Sequence, residues 1–347
     1  MTLIETIIIK LGIAPKPGYD AGMLMARAKV ILVANKMGVF NKLSRHAMSA
    51  AELAKELGAE EESLSMLLKA LVAAGYLKQK DGRYQNAGIA QKWLIEGSSK
   101  YFGDFLRHLD DLNRIWVDLE DAVRTNRPVV NWFDHCMRNP DVQRNFTLGM
   151  KGGAVFCAKE VVSKVKVSSQ PKKLLDLGGA HGYYSVEFCR QYPQLNALVI
   201  DMERPVEIGR EVVSQEKMSD RISFQVGDYV TDDISTGNDI AILFALLHAQ
   251  PPETNLDTLK KVYAALNPGG VIAITEVLTY KGKRESEFGF LFALNMLVAT
   301  PRGQAYSDDE VKGWLEDVGF TNTRRTDFLR MPGYSLLTAT KPAYSSA

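Results

Sequence analysis

The fold is decided by one stretch of the chain, Leu174-Leu175-Asp176-Leu177-Gly178-Gly179-Ala180-His181-Gly182. Its apolar first half is too short for a helix and predicts a buried strand that ends in an acid. The glycines that follow predict a tight turn, where the absence of Cβ atoms lets a ligand approach the backbone closely. In an α/β sheet such a ligand is usually a nucleotide that lies across the carboxyl ends of the strands. We therefore expect a nucleotide site at Gly178, Gly179 and Gly182.

The spacing of these glycines separates the classes of nucleotide. The dinucleotide pattern G-x-G-x-x-G, begun at Gly178, would require glycines where the chain has Ala180 and Tyr183. A phosphate-binding P-loop also fails, because no lysine and hydroxyl residue follow the glycines. The pattern acid-x-Gly-x-small-x-Gly does fit, and it is typical of the methyltransferases that use S-adenosylmethionine (SAM). Asp176 suits the amine and sulfonium of SAM better than a pyrophosphate. The alternative is an ordinary tight turn that binds nothing.

Composition narrows the classes of function further. At 347 residues the chain is long enough for two domains, and its net charge of +1 gives no bias toward nucleic acid or anionic membranes. The widely spaced Cys136, Cys157 and Cys189 form no paired motif, which indicates a reducing setting without a disulfide framework or zinc site. No apolar run reaches the roughly 18 residues of a membrane span, and residues 1–12 lack the features of a signal peptide. We therefore expect a cytoplasmic protein.

The first hundred residues predict a small helical domain that carries a hairpin. Apolar residues at helical spacing predict a helix over 21–40. The next helix begins at a capping box opened by Ser49 and ends at Gly58, and a leucine-rich helix follows and ends at Gly75. Two short strands then flank Asp81-Gly82, which is a strong hairpin signal. Helix, helix and hairpin form the winged-helix arrangement.

A winged helix invites a DNA-binding function, but the charges disfavour it. The would-be recognition helix begins with Glu60-Glu61-Glu62 and carries only Lys69 as a cation. Phosphate contacts dominate DNA affinity, so an acidic helix would be repelled. The cations of the hairpin, Lys78, Lys80 and Arg83, compensate only modestly. We therefore expect a dimerisation or scaffold domain that binds no nucleic acid.

The rest of the chain predicts a helical connector followed by an α/β domain. Residues 101–167 are helical and aromatic-rich, as expected of a core or of an apolar substrate pocket. Beyond a joint at 167–171, helix and strand patterns alternate, which predicts a parallel sheet with helices on both faces. Strands are predicted at 174–177, 196–200, 222–226, 239–247, 270–276, 328–330 and 334–340, the last two as an antiparallel pair. The predicted fold class is α/β, with a winged-helix domain over 1–100, the connector over 101–167 and a Rossmann-like, seven-stranded, mostly parallel sheet in a catalytic domain over 168–347.

Acids stand at the ends of three successive strands of that sheet. Asp176 ends the first strand, and Asp201 ends the second, about twenty residues past the glycine turn, where a doubly wound fold places the acid that binds ribose hydroxyls. Asp228 ends the third strand, where it is placed to accept the adenine amino group while Tyr229 flanks the ring. Each acid alone is as well explained as a solvated loop residue. Together they favour one site for a sulfonium nucleotide.

His248 is the candidate for proton transfer, because it stands at the predicted edge of the fourth strand, at the same crevice. Histidine is the side chain best suited to proton removal near neutral pH, and a phenol, with a pKa of about 10, is a poor nucleophile until deprotonated. Glu276, at the end of the fifth strand, is placed to hold the imidazole in the correct tautomer. The alternative for His248 is a strand-edge histidine bonded to backbone. We interpret His181 as a loop residue.

Nearly the whole chain resembles the SAM-dependent O-methyltransferases of the plant caffeic-acid, hydroxyindole and bacterial polyketide type. Besides the winged-helix domain, the resemblance rests on Phe146-Thr147-Leu148-Gly149-Met150, Leu175 to Gly182, Gly227-Asp228, Leu247-His248, Asn267-Pro268-Gly269-Gly270 and Ile274-Thr275-Glu276. It implies a homodimer with interlocking N-terminal helices and no metal requirement. By this likeness His248 matches the catalytic base, and Glu276 matches one of two glutamates that flank it.

The residues and the resemblance together give a complete site assignment, with no metal ligands. The predicted catalytic residues are His248 and Glu276. The predicted cofactor residues are Asp176, Gly178, Gly179, Gly182, Asp201, Met202, Asp228, Tyr229 and Phe244. The predicted substrate residues are Phe146, Met150, Phe292, Asn295 and Met296, among which the resemblance implies Phe146, Met150 and Met296.

Several positions depart from the family pattern. The family has an aspartate and a tryptophan after the histidine, where this chain has Ala249 and Gln250. The second flanking glutamate is Ala305 here, and a lysine often found before the histidine segment is Phe244. The predicted activity is methyl transfer from SAM to a phenolic hydroxyl of a medium-sized aromatic molecule. The alternatives are methylation of a ring or tetrapyrrole carbon, a SAM-binding paralogue with other chemistry, and a ligand-sensing winged-helix regulator.

Overall fold

The computed structural model describes Ile8 and residues 11–167 and 170–343. The chain divides into two compact units, Met1–Asp110 and Asp111–Ala347. The middle of the predicted joint at 167–171 lies outside the described residues, as does most of the segment 1–12. Among the helices in the described ranges, none has both the length and the apolar character that crossing a bilayer demands.

The first unit is helical and carries a small antiparallel sheet. A helical turn, Lys16–Gly18, and a π-helical turn, Tyr19–Met23, precede the first long helix. The helices are α1 Leu24–Met37, α2 Val39–Lys42, α3 Ala50–Leu57, α4 Glu61–Ala73 and α5 Gly88–Trp93, and the strands are β1 Met48–Ser49, β2 Leu77–Lys80 and β3 Arg83–Asn86. The strand order is β1-β3-β2. Leucines of α3 and α4 form the core of this unit.

The predicted capping box and hairpin of this unit are confirmed. The hydroxyl of Ser49 accepts the backbone N–H of Glu52 at 3.2 Å, and the Glu52 carboxylate accepts the N–H of Ser49 at 2.7 Å. Helix α3 ends where Gly58 takes a left-handed conformation, with φ +63°. Asp81 and Gly82 both have positive φ, at 50° and 72°. This is the two-residue turn whose twist matches that of the flanking strands.

The second unit contains the large sheet. Helix α6, Gly103–Trp116, begins in the first unit and ends in the second. The further helices are α7 Leu119–Thr125, α8 Trp132–Arg138, α9 Pro140–Lys164, α10 Tyr183–Gln191, α11 Glu203–Gln215, α12 Pro252–Ala265, α13 Glu287–Ala299 and α14 Asp308–Val318. The strands are β4 Lys173–Leu177, β5 Asn196–Asp201, β6 Ile222–Val226, β7 Asn238–Phe244, β8 Leu266–Val277, β11 Thr321–Asp327 and β12 Tyr334–Thr340, besides the short pair β9 Tyr280–Lys281 and β10 Arg284–Glu285.

The seven-stranded sheet has the order β11-β12-β8-β7-β4-β5-β6. The strands from β8 to β6 are parallel, and β12 is antiparallel to both of its neighbours. The chain runs outward from β4 through β5 and β6, then returns to place β7 on the other side of β4. The strand order therefore reverses between β4 and β7, which is where open α/β sheets bind their ligands. The predicted mostly parallel, seven-stranded sheet is confirmed.

Helices cover both faces of this sheet. On one face, α9, α10 and α11 bury Val161, Val186 and Val213 against the strands. On the other face, α12 and α14 bury Leu259 and Leu315. Strands that are covered on both faces carry continuous apolar runs, and this is why their ends were visible in the sequence. The packing fixes the residues that follow each strand at one edge of the sheet.

The prediction that the fourth strand runs to residue 247 was wrong. Strand β7 ends at Phe244, and His248 lies in a short 3₁₀ helix, Leu247–Ala249. The strand stops because Ala245 has φ +55°, which turns the backbone out of the sheet. The apolar pattern continued through Leu247 because the turn itself is buried.

The predicted strand at 328–330 was also wrong, although the antiparallel pair exists. The partner of β12 is β11, Thr321–Asp327, a polar edge strand without an apolar run. The backbone N–H groups of Leu329 and Arg330 instead donate to the carboxylate of Glu160 on α9, at 3.0 and 3.2 Å. These two N–H groups therefore cannot form strand hydrogen bonds with β12.

Candidate functional site

The glycine turn after β4 has the strained backbone that its sequence indicates. Gly178 and Gly182 have φ of +64° and +63°, a conformation that side chains disfavour. Ala180 adopts φ +36° without being glycine. A Cβ on Gly178 would meet the Leu246 side chain at 2.5 Å, and one on Gly179 would meet the Asp176 carboxylate at 2.4 Å. The turn therefore admits no side chain at these positions without displacement of its neighbours.

Helix α11 supports this turn through a glycine that the sequence analysis missed. A Cβ on Gly209 would lie 2.2 Å from the backbone oxygen of Ala180 and 2.6 Å from the ring of Phe224. The helix backbone therefore packs directly on the turn. The available signal was an isolated glycine inside a helical pattern, which often marks a close approach of two backbones.

Two carboxyl groups lie beneath and beside the turn. Asp176 is 2% exposed and accepts the Ser185 hydroxyl at 2.7 Å, and Ser185 is a partner that the sequence analysis did not identify. Burial, together with the nearby charge of Asp201, raises the pKa of Asp176 to about 7. Asp201 accepts the backbone N–H groups of Ala180 at 2.8 Å and Met202 at 2.7 Å. Burial raises the pKa of Asp201 to about 6, with these hydrogen bonds acting in the opposite direction.

No cation balances these two carboxyl groups: among the described residues, neither Asp176 nor Asp201 has a lysine, arginine or histidine in an ion pair or among the causes of its pKa shift. Burial raises both pKa values, and no nearby positive charge offsets this effect by favouring the ionised form. A ligand with positive charge would stabilise the carboxylates, whereas a pyrophosphate would be repelled. The two carboxyl groups therefore suit the positive charge of a sulfonium amino-acid nucleotide better than the negative charge of a pyrophosphate.

Two further predicted cofactor residues stand at the end of β6. Asp228 closes a turn in which its Oδ1 accepts the N–H of Val230 at 2.9 Å. Burial raises the pKa of the Tyr229 phenol, and the side chain of Gln250 acts in the opposite direction. Gln250 stands where the family pattern has a tryptophan.

The remaining predicted cofactor residues differ in their surroundings. Met202 is 45% exposed at the N-terminus of α11 and is open to a ligand. Phe244 is buried at the end of β7, with its ring edge-on to Tyr184 at 4.6 Å between centroids. Phe244 therefore serves the core in this structure, and any contact with a ligand remains a prediction.

His248 and Glu276, which lie 28 positions apart, meet beside the glycine turn. The Nδ1 atom of His248 lies 2.8 Å from Glu276 Oε2, with the imidazole 14% exposed and the carboxylate 2% exposed. The other oxygen of Glu276 accepts the backbone N–H of Leu247 at 2.7 Å. A carboxylate only accepts hydrogen bonds, so it holds the proton on Nδ1 and leaves the lone pair of Nε2 available. This is the arrangement of a general base with an orienting acid.

The 3₁₀ turn that carries His248 is held by side chains that the sequence analysis missed. The Asn255 amide donates to the Leu247 carbonyl at 2.9 Å, and the Tyr306 hydroxyl donates to the Gln250 carbonyl at 2.5 Å. The His248 carbonyl accepts the N–H of Gln304 at 2.9 Å. Beyond Phe244, where the ladder of the sheet ends, these hydrogen bonds hold the segment that carries the imidazole in place.

His181, the other histidine near the crevice, has a different environment. It is 5% exposed, and its Nδ1 accepts the N–H of Tyr183 at 3.0 Å. Burial, and to a lesser degree the charge of Lys151, lowers the pKa of His181 to about 3. The ring is therefore neutral near pH 7 and stabilises the turn.

Three predicted substrate residues lie on α13, and one of them contacts the dyad formed by His248 and Glu276. The ring of Phe292 stands edge-on to His248, with centroids 4.9 Å apart and an interplanar angle of 89°. Asn295 follows three positions later, and its Oδ1 accepts the indole N–H of Trp116 at 2.9 Å. Met296 is 6% exposed. The sequence placed Trp116 in the aromatic-rich connector, but nothing in its own segment indicates a partner 179 positions away.

The other two predicted substrate residues lie on α9. The ring of Phe146 stands edge-on to Trp132 at 6.2 Å and belongs to an apolar cluster that includes Val298 of α13. Met150 is half-buried one turn further along the helix. The structure therefore joins Phe146 to the end of α13, whereas a role for Met150 in binding the substrate remains a prediction.

Two family models match the chain. Residues 116–321 match an O-methyltransferase domain, and residues 23–96 match an O-methyltransferase dimerisation domain. A 3-hydroxy-5-methyl-1-naphthoate 3-O-methyltransferase of Streptomyces sahachiroi is 28% identical over 306 residues, which cover 87% of this chain and 88% of that protein. Other relatives bear the names of N- and C-methyltransferases.

Solved structures resemble this fold closely. A structure described as PigF with SAH superposes with a TM-score of 0.82 at 26% identity, over 98% of this chain and 100% of that one. Human N-acetylserotonin methyltransferase in complex with SAM gives a TM-score of 0.84 at 24% identity, over 94% of this chain and 96% of that one. The fold of the chain is therefore shared along almost its whole length.

Proposed function

This chain belongs to the O-methyltransferase family that those two domain models define, which is SAM-dependent, and from that premise we propose that it methylates a phenolic oxygen of a medium-sized aromatic molecule. The observation that carries the proposal is the 2.8 Å contact between His248 Nδ1 and Glu276 Oε2. The contact lies at the carboxyl end of β7, beside the glycine turn of β4, where the strand order reverses. The match to a dimerisation domain supports a homodimer.

We assign the cofactor to the acids at three strand ends. Asp176 would hold the amine of SAM, Asp201 the ribose hydroxyls and Asp228 the adenine amino group. When bound, SAM supplies an electrophilic methyl group on its sulfonium, which a phenolate oxygen accepts. The raised pKa values of Asp176 and Asp201 support this assignment, because both carboxyl groups lack a positive charge that such a ligand would bring.

The dyad removes the phenolic proton. Since Glu276 holds the proton of His248 on Nδ1, Nε2 is the atom that accepts the proton of the substrate. The imidazolium that results is stabilised by the buried carboxylate beside it. One carboxylate performs this task, because the second glutamate of the family is Ala305 here. Phe292, edge-on to the imidazole, supports an aromatic acceptor beside the base.

The test of this proposal is to identify the atom of the acceptor that carries the transferred methyl group. We expect ¹³C-methyl SAM, incubated with the enzyme and a panel of hydroxylated naphthoates, anthraquinones and indoles, to yield a product whose labelled carbon has the chemical shift of a methoxy group. A shift typical of a methyl on a ring carbon, or on nitrogen, would contradict the proposal in favour of C- or N-methylation. Uptake of SAM without transfer to any member of the panel would indicate a paralogue with other chemistry.

A further inference from the structure

The side-chain amide of Asn295 is held in one orientation by Trp116. An indole N–H can only donate, so the atom 2.9 Å from Trp116 Nε1 must be the amide oxygen of Asn295. The amide NH₂ then points away from the indole. Within the described residues this NH₂ has no hydrogen-bond partner of its own. The pair therefore presents a fixed donor, whereas a free asparagine would present either a donor or an acceptor.

This donor belongs to a residue about one helical turn along α13 from Phe292, which contacts His248. Phe292 touches the imidazole of His248, and Asn295 follows it by three positions, which places their Cβ atoms roughly 5–6 Å apart on one helix face. Trp116 itself is half-buried in an apolar cluster with Leu297 and Val298, so the indole is anchored by packing. A molecule whose hydroxyl faces His248 therefore has the amide NH₂ as its neighbour.

We propose that Trp116 is a positioning residue that commits Asn295 to donate, so that the enzyme selects aromatic acceptors with a hydrogen-bond-accepting oxygen next to the hydroxyl that is methylated. This inference rests on the proposed function and adds the class of acceptor to it. A carbonyl or carboxylate oxygen on the adjacent ring position meets the requirement, and an isolated hydroxyl does not. An acceptor that lacks the second oxygen would displace water from this donor without pairing it, which is costly, so such acceptors are disfavoured.

The experiment compares two probes, 3-hydroxy-2-naphthoate and 2-naphthol, in the wild-type enzyme and in Trp116→Phe. The phenylalanine keeps an aromatic ring in the cluster but removes the N–H. We expect the wild type to prefer the naphthoate in kcat/KM, and Trp116→Phe to reduce that preference by roughly tenfold, as loss of one oriented donor implies. Asn295→Ala should reduce it similarly, and the double variant should reduce it no further, because both residues act through one group.

Trp314→Phe is the matched control, because this indole packs on Tyr306 in a different apolar cluster from that of Trp116. It should leave the preference between the probes unchanged. A wild-type enzyme without preference for the naphthoate, or a Trp116→Phe variant that keeps the full preference, would overturn the inference. Methylation of either hydroxyl at equal efficiency would leave the proposed O-methylation standing, so the two failures are distinguishable.

Discussion

Replacement of His248 by alanine is expected to lower kcat for methyl transfer by about 10²- to 10⁴-fold, the range that a positioned general base contributes. Glu276 orients the imidazole through Nδ1, which leaves Nε2 to accept the proton. Affinity for SAM should change little, because the acids of the cofactor site belong to other strands. The measurement is single-turnover kinetics at saturating SAM, with affinity for S-adenosylhomocysteine (SAH) measured separately.

His46→Ala provides the control for loss of a histidine, since His46 is exposed in the first unit. This variant should retain wild-type turnover. A His248→Ala enzyme that keeps more than about a tenth of wild-type kcat would contradict the assignment of His248 as the base. Attack by an activated carbon, which needs less help from a base, would then be the better explanation.

Gly209→Ala is expected to have the largest effect on stability and to weaken SAH binding at least tenfold. The new methyl group would lie 2.2 Å from the Ala180 oxygen and 2.6 Å from the Phe224 ring, so α11 must move away from the turn. Overpacking of this kind costs about 3 kcal/mol of the free energy of unfolding. Chemical denaturation without cofactor measures the first effect, and titration with SAH measures the second.

Gly313→Ala is the matched control, because Gly313 also lies inside a helix but a Cβ there meets nothing within 4 Å. Alanine at this position should raise the free energy of unfolding by about 0.5–1 kcal/mol, through helix propensity and a less flexible unfolded chain. If Gly209→Ala behaved like Gly313→Ala, the close approach of α11 to the glycine turn would be refuted.

The sheet and its strand ends could be predicted from the sequence because strands that are buried on both faces consist of continuous apolar runs. Asp176 and Asp201 were found in this way, each as a polar residue near the end of such a run. The same rule failed in two places, at the end of β7 and at the edge of the sheet. It extended β7 to Leu247, which is buried in a turn, and it overlooked β11, which is polar because it lies at the edge of the sheet.

The contacts that position the site were not visible in the sequence, because they join distant segments. Ser185 supports Asp176 across the glycine turn, and Asn255 fixes the turn of His248 from the following helix. The contact between Trp116 and Asn295 spans 179 positions. Periodicity reports which face of an element is buried, whereas such pairs depend on how the elements are arranged in space.

The most direct test of the account is calorimetric titration of SAH into the wild-type protein and into Asp201→Ala, with NAD as the competing nucleotide. The account predicts one SAH bound per chain, an affinity about 10- to 100-fold weaker in Asp201→Ala because hydrogen bonds to a charged group are lost, and no uptake of NAD. Equal affinity in the two proteins would contradict the placement of the cofactor across the strand ends. Uptake of NAD in place of SAH would contradict the identity of the site itself.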